Sequence, residues 1–146
     1  MAVFTYTQCP GDTSAAFPDG RTALRPILPI SIINGEHRFS CYAIVDSGAD
    51  YCTFPGVFMD ALQIDRSAAK PDSNFRGVTP QSTDIFFHEV MIDLAFTLPY
   101  PVYVGFSDSM NEGYGEAGLG LLGQVGFFDR FKVVFDWSNK LFEIQD

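Results

Sequence analysis

The stretch Ala43-Ile44-Val45-Asp46-Ser47-Gly48-Ala49-Asp50 decides how this sequence is interpreted. Apolar residues typical of a strand end at a carboxylate, a hydroxyl follows, and a glycine then permits a tight turn whose backbone amides approach that carboxylate. Asp-Ser-Gly alone is weak evidence, because ordinary turns that end a strand have the same composition. The neighbouring sequence must decide between a structural turn and a chemical site.

A β-hairpin is predicted immediately upstream of this stretch. Branched apolar residues follow Arg25-Pro26 from Ile27 to Ile33, and Asn34-Gly35 is the strongest short hairpin signal. From His37 to Val45 apolar residues recur with period two, which indicates a second strand. That strand delivers Asp46 to its end.

The other segments predict more short strands and one or two short helices. Apolar spacing favours helices at Gly56–Gln63 and Val125–Phe131. Two strand-like segments, Phe75–Thr79 and Thr83–Phe96, suggest a hairpin. The prolines of a third, Leu98–Phe106, predict an edge strand. Two more strands are predicted at Lys132–Asp136 and Leu141–Ile144. Residues 1–24 lack any period and are expected to be an irregular lead-in to a domain of residues 25–146. Many short strands indicate an all-β fold, either a barrel or a sandwich.

Composition limits the classes of function. The 146 residues, 47% of them hydrophobic, suffice for one domain with its own core. A formal charge of −9 without a basic cluster argues against nucleic acid and anionic membranes as partners. No apolar run approaches the ~20 residues of a membrane span. The first residues do not resemble a signal peptide, so a cytoplasmic protein is expected.

Neither a metal nor a cofactor is expected. Cys9, Cys41 and Cys52 are an odd number without CxxC spacing, which argues against a disulfide framework and a zinc site. His37 and His88 are isolated from other metal-ligating residues.

The segment Gly118–Gly123 matches the GxGxxG pattern, but no βαβ unit surrounds it, so a dinucleotide site is rejected. These glycines are instead expected to let the chain pass close to the strand that carries Asp46.

Two motifs, in this order, resemble the retropepsin-type aspartic proteases in their bacterial branch. The first is Arg25-Pro26, the predicted hairpin and Asp46-Ser47-Gly48-Ala49-Asp50; the second is Leu121-Leu122-Gly123-Gln124, followed by the predicted helix and Val133-Val134-Phe135-Asp136. The resemblance covers about Arg25 to Ile144. It implies a small closed β-barrel of the retropepsin type with one or two short helices, and the activity of an aspartic endopeptidase.

The resemblance also implies a homodimer. The family hydrolyses peptides with two carboxylates that flank one water. This chain has one Asp-Ser-Gly, because Asp108-Ser109-Met110 lacks the glycine and Asp12-Thr13-Ser14 lies in the lead-in. Asp46 of a second copy would then supply the other carboxylate, and a polypeptide would be the substrate.

Further roles follow from the same resemblance. Ser47 and Gly48 belong with Asp46 to the catalytic motif, Ser47 bracing the dyad and Gly48 contacting substrate through its backbone. Ala49 and Asp50 would bind substrate, together with a flap that contains Gly77, Val78 and Thr79.

Two residues are assigned to the dimer contact. Arg25 would reach Asp50 of the other copy, although a plain surface arginine is an equal alternative. Gln124 stands where the viral family has arginine, and it keeps hydrogen bonding without the charge.

The flap also departs from the viral pattern, because Pro80 follows Gly77 where viral flaps carry several glycines. Three hypotheses stay open. The chain is an endopeptidase, a retropepsin-fold dimer that binds an extended peptide without cleaving it, or a monomer whose dyad never assembles.

Overall fold

The hairpin predicted around Asn34-Gly35 forms the first part of the structure, a computed structural model that describes residues 1–68, 70–72, 85–111 and 118–146. Its two strands, β4 (Ile27–Asn34) and β5 (His37–Val45), pair antiparallel from Ile27↔Ile44 to Asn34↔His37. Gly35 adopts a positive φ of 61°, which the turn requires and which glycine adopts without steric cost. This prediction is confirmed.

The described residues form twelve strands, one short α-helix and one 3₁₀ turn. In order they are β1 (Ala2–Thr5), β2 (Thr7–Pro10), β3 (Thr22–Arg25), β4 (Ile27–Asn34), β5 (His37–Val45), β6 (Thr53–Pro55), α1 (Phe58–Ala61), β7 (Lys70–Asp72), β8 (Ile85–Asp93), β9 (Tyr100–Ser107), the 3₁₀ turn (Asp108–Met110), β10 (Gly120–Leu122), β11 (Lys132–Asp136) and β12 (Leu141–Gln145).

Six of these strands close into a barrel. Their order is β4-β5-β10-β6-β9-β8, and pairing of β8 back onto β4 closes the circle, while β7 extends the sheet beside β8. Two neighbouring pairs are parallel, β5 with β10 and β6 with β9. The closed all-β barrel predicted from the sequence is therefore confirmed.

The barrel interior is filled by alternating strand residues and by aromatic rings. Leu28, Ile30 and Ile32 of β4 are buried, and Phe54 and Phe106 from the parallel pair β6–β9 have no exposed surface. Burial of apolar side chains is the main favourable contribution to folding, so these alternating residues hold the barrel closed.

The expectation of an irregular N-terminal segment is wrong for Ala2–Pro10. Strand β1 pairs antiparallel with β12, and β2 pairs with β3. The Phe4 ring stacks on Phe142 at a centroid distance of 5.4 Å and also contacts Phe96 at 5.5 Å. The first strand is thus fixed by both backbone pairing and aromatic packing. The proposed domain boundary at residue 25 stays a prediction.

Positive φ angles shorten one predicted helix and abolish the other. α1 ends at Ala61, and Gln63 lies in the left-handed region at φ 53°. The helix predicted for Val125–Phe131 is wrong: this segment is a run of turns, because Gly126 has a φ of 100°, which a right-handed helix does not accommodate.

The edge position predicted for the Leu98–Phe106 strand is also wrong. β9 lies between β8 and β6. However, β6 pairs with β9 only at residues 105–107, so among the described strands Pro101 has a neighbour on one side alone, that of β8.

The predicted Phe75–Thr79 strand and its turn lie outside the described residues, and the structure describes the Thr83–Phe96 strand from Ile85 onward. Within the described ranges, no helix has the length and apolar character needed to cross a membrane.

Candidate active site

Asp46 lies at the point where β5 leaves the barrel wall. Val45, the last residue of β5, is buried and is paired in parallel with Leu122 of β10. The Asp46 backbone N–H donates to the Leu122 carbonyl at 3.0 Å. The backbone of Asp46 is therefore fixed by the barrel, while its side chain is only partly buried.

The residues after Asp46 form a tight turn around its carboxylate. The Gly48 N–H donates to Asp46 Oδ1 at 2.9 Å, and the Ala49 N–H donates to the Asp46 carbonyl at 3.2 Å. A Cβ atom at Gly48 would lie 3.2 Å from that same carboxylate oxygen, so a side chain would crowd the carboxylate. Glycine at this position gives the carboxylate its backbone donor.

The residues that follow β10 contact the backbone of this turn. Gly123 lies so close that a Cβ atom would be 2.2 Å from the Tyr51 carbonyl oxygen and 2.6 Å from that of Ala49. Gln124 then donates its backbone N–H to the Ala49 carbonyl at 2.8 Å. The prediction that the glycine-rich segment passes close to the Asp46 strand is confirmed.

Asp46 has no cationic partner among the described residues. The two ion pairs in that part of the chain are Arg38–Asp93 and Arg66–Asp108. Nor do those residues contain a cluster of three or more His, Cys, Asp or Glu side chains able to hold a metal ion. Chemically, the turn presents one carboxylate, held by a backbone amide, that can accept or donate a proton.

The other sequence-predicted site residues divide into four groups. Ser47 and Asp50 are exposed on the turn, and Ala49 is partly buried in it. Arg25 is exposed at the end of β3, where its backbone is paired with Thr7.

Gln124 contacts the turn of its own chain, since its side-chain Nε2 donates to the Ser47 carbonyl at 2.9 Å. Gly77, Val78 and Thr79, the predicted flap residues, lie outside the described residues.

A second aspartate lies at a corresponding place in the other half of the barrel. Asp108 directly follows β9, just as Asp46 follows β5, and β9 is also paired in parallel with a short strand, β6. Arg66 binds its carboxylate through two hydrogen bonds, of 2.7 and 2.9 Å. Hydrogen bonding from Arg66 lowers the pKa of Asp108, so this carboxylate stays ionised.

No local sequence pattern indicates this ion pair, because its members are 42 positions apart. One sequence pattern does mark the similarity between the two loops. Phe54-Pro55-Gly56 and Leu121-Leu122-Gly123 are both short strand ends followed by glycine. An aromatic contact beside the Asp46 turn was also missed, between Tyr51 and Phe87 with ring centroids 5.2 Å apart.

A groove of about 480 Å³ lies elsewhere, on the β4–β5 hairpin, with Arg38, Phe39, Tyr42 and Asp93 among its lining residues. Asp46 does not line it, so the groove has no part in the chemistry of the turn.

No protein-family model and no curated protein matches this chain. Among solved structures it is similar to the crystal structure of a retropepsin-like aspartic protease from Rickettsia conorii. The alignment covers 98% of this chain and 92% of that chain, with a TM-score of 0.57 and 13% sequence identity. This likeness confirms the retropepsin-like fold that the motifs predicted.

Proposed function

We propose that this chain is an aspartic endopeptidase that hydrolyses peptide bonds as a homodimer. The observation that carries the proposal is the Asp46 turn: a partly exposed carboxylate that follows a strand whose last three residues are buried, held by the Gly48 amide and free of any described cation. The retropepsin-like fold supports it, since the fold of the similar solved structure is that of an aspartic protease.

The chemistry needs two such carboxylates. Two carboxyl groups in close contact cannot both ionise, so the two copies of Asp46 share one proton. The ionised one takes a proton from water as the oxygen attacks the peptide carbonyl carbon, and the protonated one donates its proton to the carbonyl oxygen. Collapse of the tetrahedral intermediate then transfers a proton to the leaving nitrogen and yields a carboxylic acid and an amine.

The neighbouring residues have supporting roles in this proposal. Ser47 braces the dyad, while Gly48, Ala49 and Asp50 bind the backbone of an extended polypeptide. Gly77, Val78 and Thr79 cover the substrate, and Arg25 contributes to the contact between the copies.

The first test is Asp46→Asn, assayed for cleavage of an unfolded polypeptide from acid to neutral pH, with and without an aspartic-protease inhibitor. We expect inhibitor-sensitive cleavage by the wild type and none by the variant, with unchanged dimer content. Asp19→Asn, which removes an exposed carboxylate between β2 and β3, is the matched control and should cleave normally. Cleavage by Asp46→Asn would overturn the mechanism. Inhibitor binding without cleavage by the wild type would support the peptide-binding dimer instead.

Mixing the two proteins tests whether one site needs two chains. If only dimers with two intact aspartates cleave, an equal amount of Asp46→Asn protein should lower the rate of a fixed amount of wild type to about half, because subunits redistribute at random. A rate that does not change on mixing, under conditions where subunits exchange, would show that each chain works alone.

A further inference from the structure

Gln124 contacts the Asp46 turn twice. Its backbone N–H donates to the Ala49 carbonyl, and its side-chain Nε2 donates to the Ser47 carbonyl at 2.9 Å. The backbone contact is available to any residue other than proline, but the side-chain contact requires a donor of this length. The side-chain contact is therefore what distinguishes glutamine at this position.

The Ser47 carbonyl is joined rigidly to the group that holds the carboxylate. The Ser47 C=O and the Gly48 N–H are the two ends of one peptide unit, which is planar and does not rotate about its C–N bond. On one side this plane receives the hydrogen bond from Gln124, and on the other it donates to Asp46 Oδ1 at 2.9 Å. A rotation of the plane would break both bonds together.

The plane has little other support. Ser47 and Gly48 are both exposed, so neither is held by packing. The carbonyl of Asp46 is engaged by Ala49 N–H, and the carbonyls of Ala49 and Asp50 are engaged by the backbone of Gln124 and Val125. Among the described residues, the Ser47 carbonyl has the Gln124 side chain as its partner. Donation to a carbonyl also polarises the peptide unit and strengthens its N–H as a donor.

From this geometry we infer that Gln124 is a positioning residue for Asp46, which orients the carboxylate through the Ser47–Gly48 peptide plane of its own chain. The inference rests on the proposed function and differs from the expectation that Gln124 belongs to the dimer contact. A dimer contact would change the association of the copies, whereas a positioning residue changes the order of the turn and the rate of cleavage.

Three variants separate these roles. Gln124→Met keeps the side-chain length and has no donor at any pH. Gln124→Glu has no donor when ionised, but regains one when its carboxyl is protonated, below about pH 4. Gln63→Glu is the matched control. Gln63 is also an exposed glutamine, and its Nε2 also donates to a backbone carbonyl, that of Asp60 in α1.

The measurements are amide hydrogen exchange over residues 46–50, the dimer dissociation constant from sedimentation, and the separate values of kcat and KM. The two segments that Gln124 joins also carry the acidic side chains of Asp46, Asp50 and Asp129, so each variant is compared with the wild type at the same pH. Loss of one net hydrogen bond predicts about tenfold faster exchange and about tenfold lower kcat at pH 7 for both Gln124 variants. The dimer dissociation constant and KM should stay within about twofold, and Gln63→Glu should match the wild type.

The decisive result is the pH dependence. At pH 4 and below, Gln124→Glu should return toward wild-type exchange, while Gln124→Met should not. Unchanged exchange in both variants, or a weakened dimer with normal exchange, would overturn the inference. The exchange measurement does not depend on catalysis: if the wild type fails to cleave, the proposed function fails and the exchange data still decide the role of Gln124.

Discussion

The loops that follow β5 and β9 begin alike and hold their aspartates differently. Each strand is paired in parallel with a short strand and is followed by an Asp-Ser sequence, Asp46-Ser47 in one case and Asp108-Ser109 in the other. Each short strand is followed by a buried glycine, Gly123 or Gly56, that leaves no room for a Cβ atom. The backbone arrangement alone therefore does not determine what the carboxylate does.

The difference lies in the third residue and in the partner. Gly48 turns its N–H toward the Asp46 carboxylate, whereas Met110 is nearly buried and ends a 3₁₀ turn that leaves Asp108 facing Arg66. One carboxylate accepts a hydrogen bond from a neutral backbone amide, and the other is paired with a guanidinium. The two turns thus place the same type of side chain in different electrostatic surroundings, a neutral amide in one case and a cation in the other.

The largest expected effect comes from removing the charge of each aspartate in turn. Asp46→Asn should lower kcat/KM by at least about a thousandfold because it removes the acid–base group, with stability nearly unchanged. Asp108→Asn should keep cleavage within about threefold and lower stability by about 1 kcal/mol, because its ion pair is partly exposed. Cleavage assays and urea unfolding at equal protein concentration measure both. Equal losses of activity would remove the distinction between the two loops.

The two buried glycines should differ in the cost of an added methyl group. In Gly123→Ala the new Cβ meets backbone oxygens, which cannot move without shifting the Asp46 turn, and a loss of about 3 kcal/mol is expected. In Gly56→Ala the closest atom is the Asp108 carboxylate, 2.0 Å away, which can swing aside at the expense of its ion pair. About 1–2 kcal/mol is expected there.

Urea unfolding measures both glycine variants, and cleavage should be lost only in Gly123→Ala. A larger destabilisation by Gly56→Ala would mean that the Asp108 loop, rather than the Asp46 loop, is the more rigid.

The smallest expected effect is the pH dependence of the stability that the Arg66–Asp108 ion pair contributes. Because Arg66 lowers the folded-state pKa of Asp108, the ion pair stabilises the fold above the unfolded-state pKa of about 3.9 and loses this contribution as pH falls through the lower folded value. Arg66→Met should therefore destabilise by about 1 kcal/mol at pH 7 and by less at pH 3.

Part of the Arg66→Met loss is independent of pH, since Arg66 also lies over the Phe86 ring and donates to the Gly56 carbonyl. Lys132→Met, which removes an exposed cation outside both described ion pairs, is the control. An equal loss at pH 7 and pH 3 would show that the charge of Asp108 contributes nothing.

The sequence predicted the parts of the fold that short-range chemistry determines. Asn34-Gly35 specifies a hairpin because few other residues adopt its turn, and the period-two pattern before Asp46 specifies which residue leaves the barrel. Gly123 was identified as a close approach for the same local reason. The placement of Asp46 in a tight turn at a strand end followed from these features.

Long-range partners account for what the sequence did not predict. Ala2–Thr5 forms a strand because it pairs with Leu141–Ile144, and the sequence of neither segment alone indicates that pairing. The Val125–Phe131 segment has helical spacing, but the positive φ of Gly126 overrides it. Likewise, the turn pattern alone gave no indication that Gln124 donates to Ser47.

The pairing of β1 with β12 has a consequence for how the molecule assembles. Contacts between segments far apart in sequence form slowly, because a long loop must close before the contact contributes any free energy. On the ribosome, β12 emerges after all six barrel strands, so β1 has no pairing partner while those strands are being made. The β1–β12 pairing thus forms after the barrel strands are complete, once synthesis has reached Gln145.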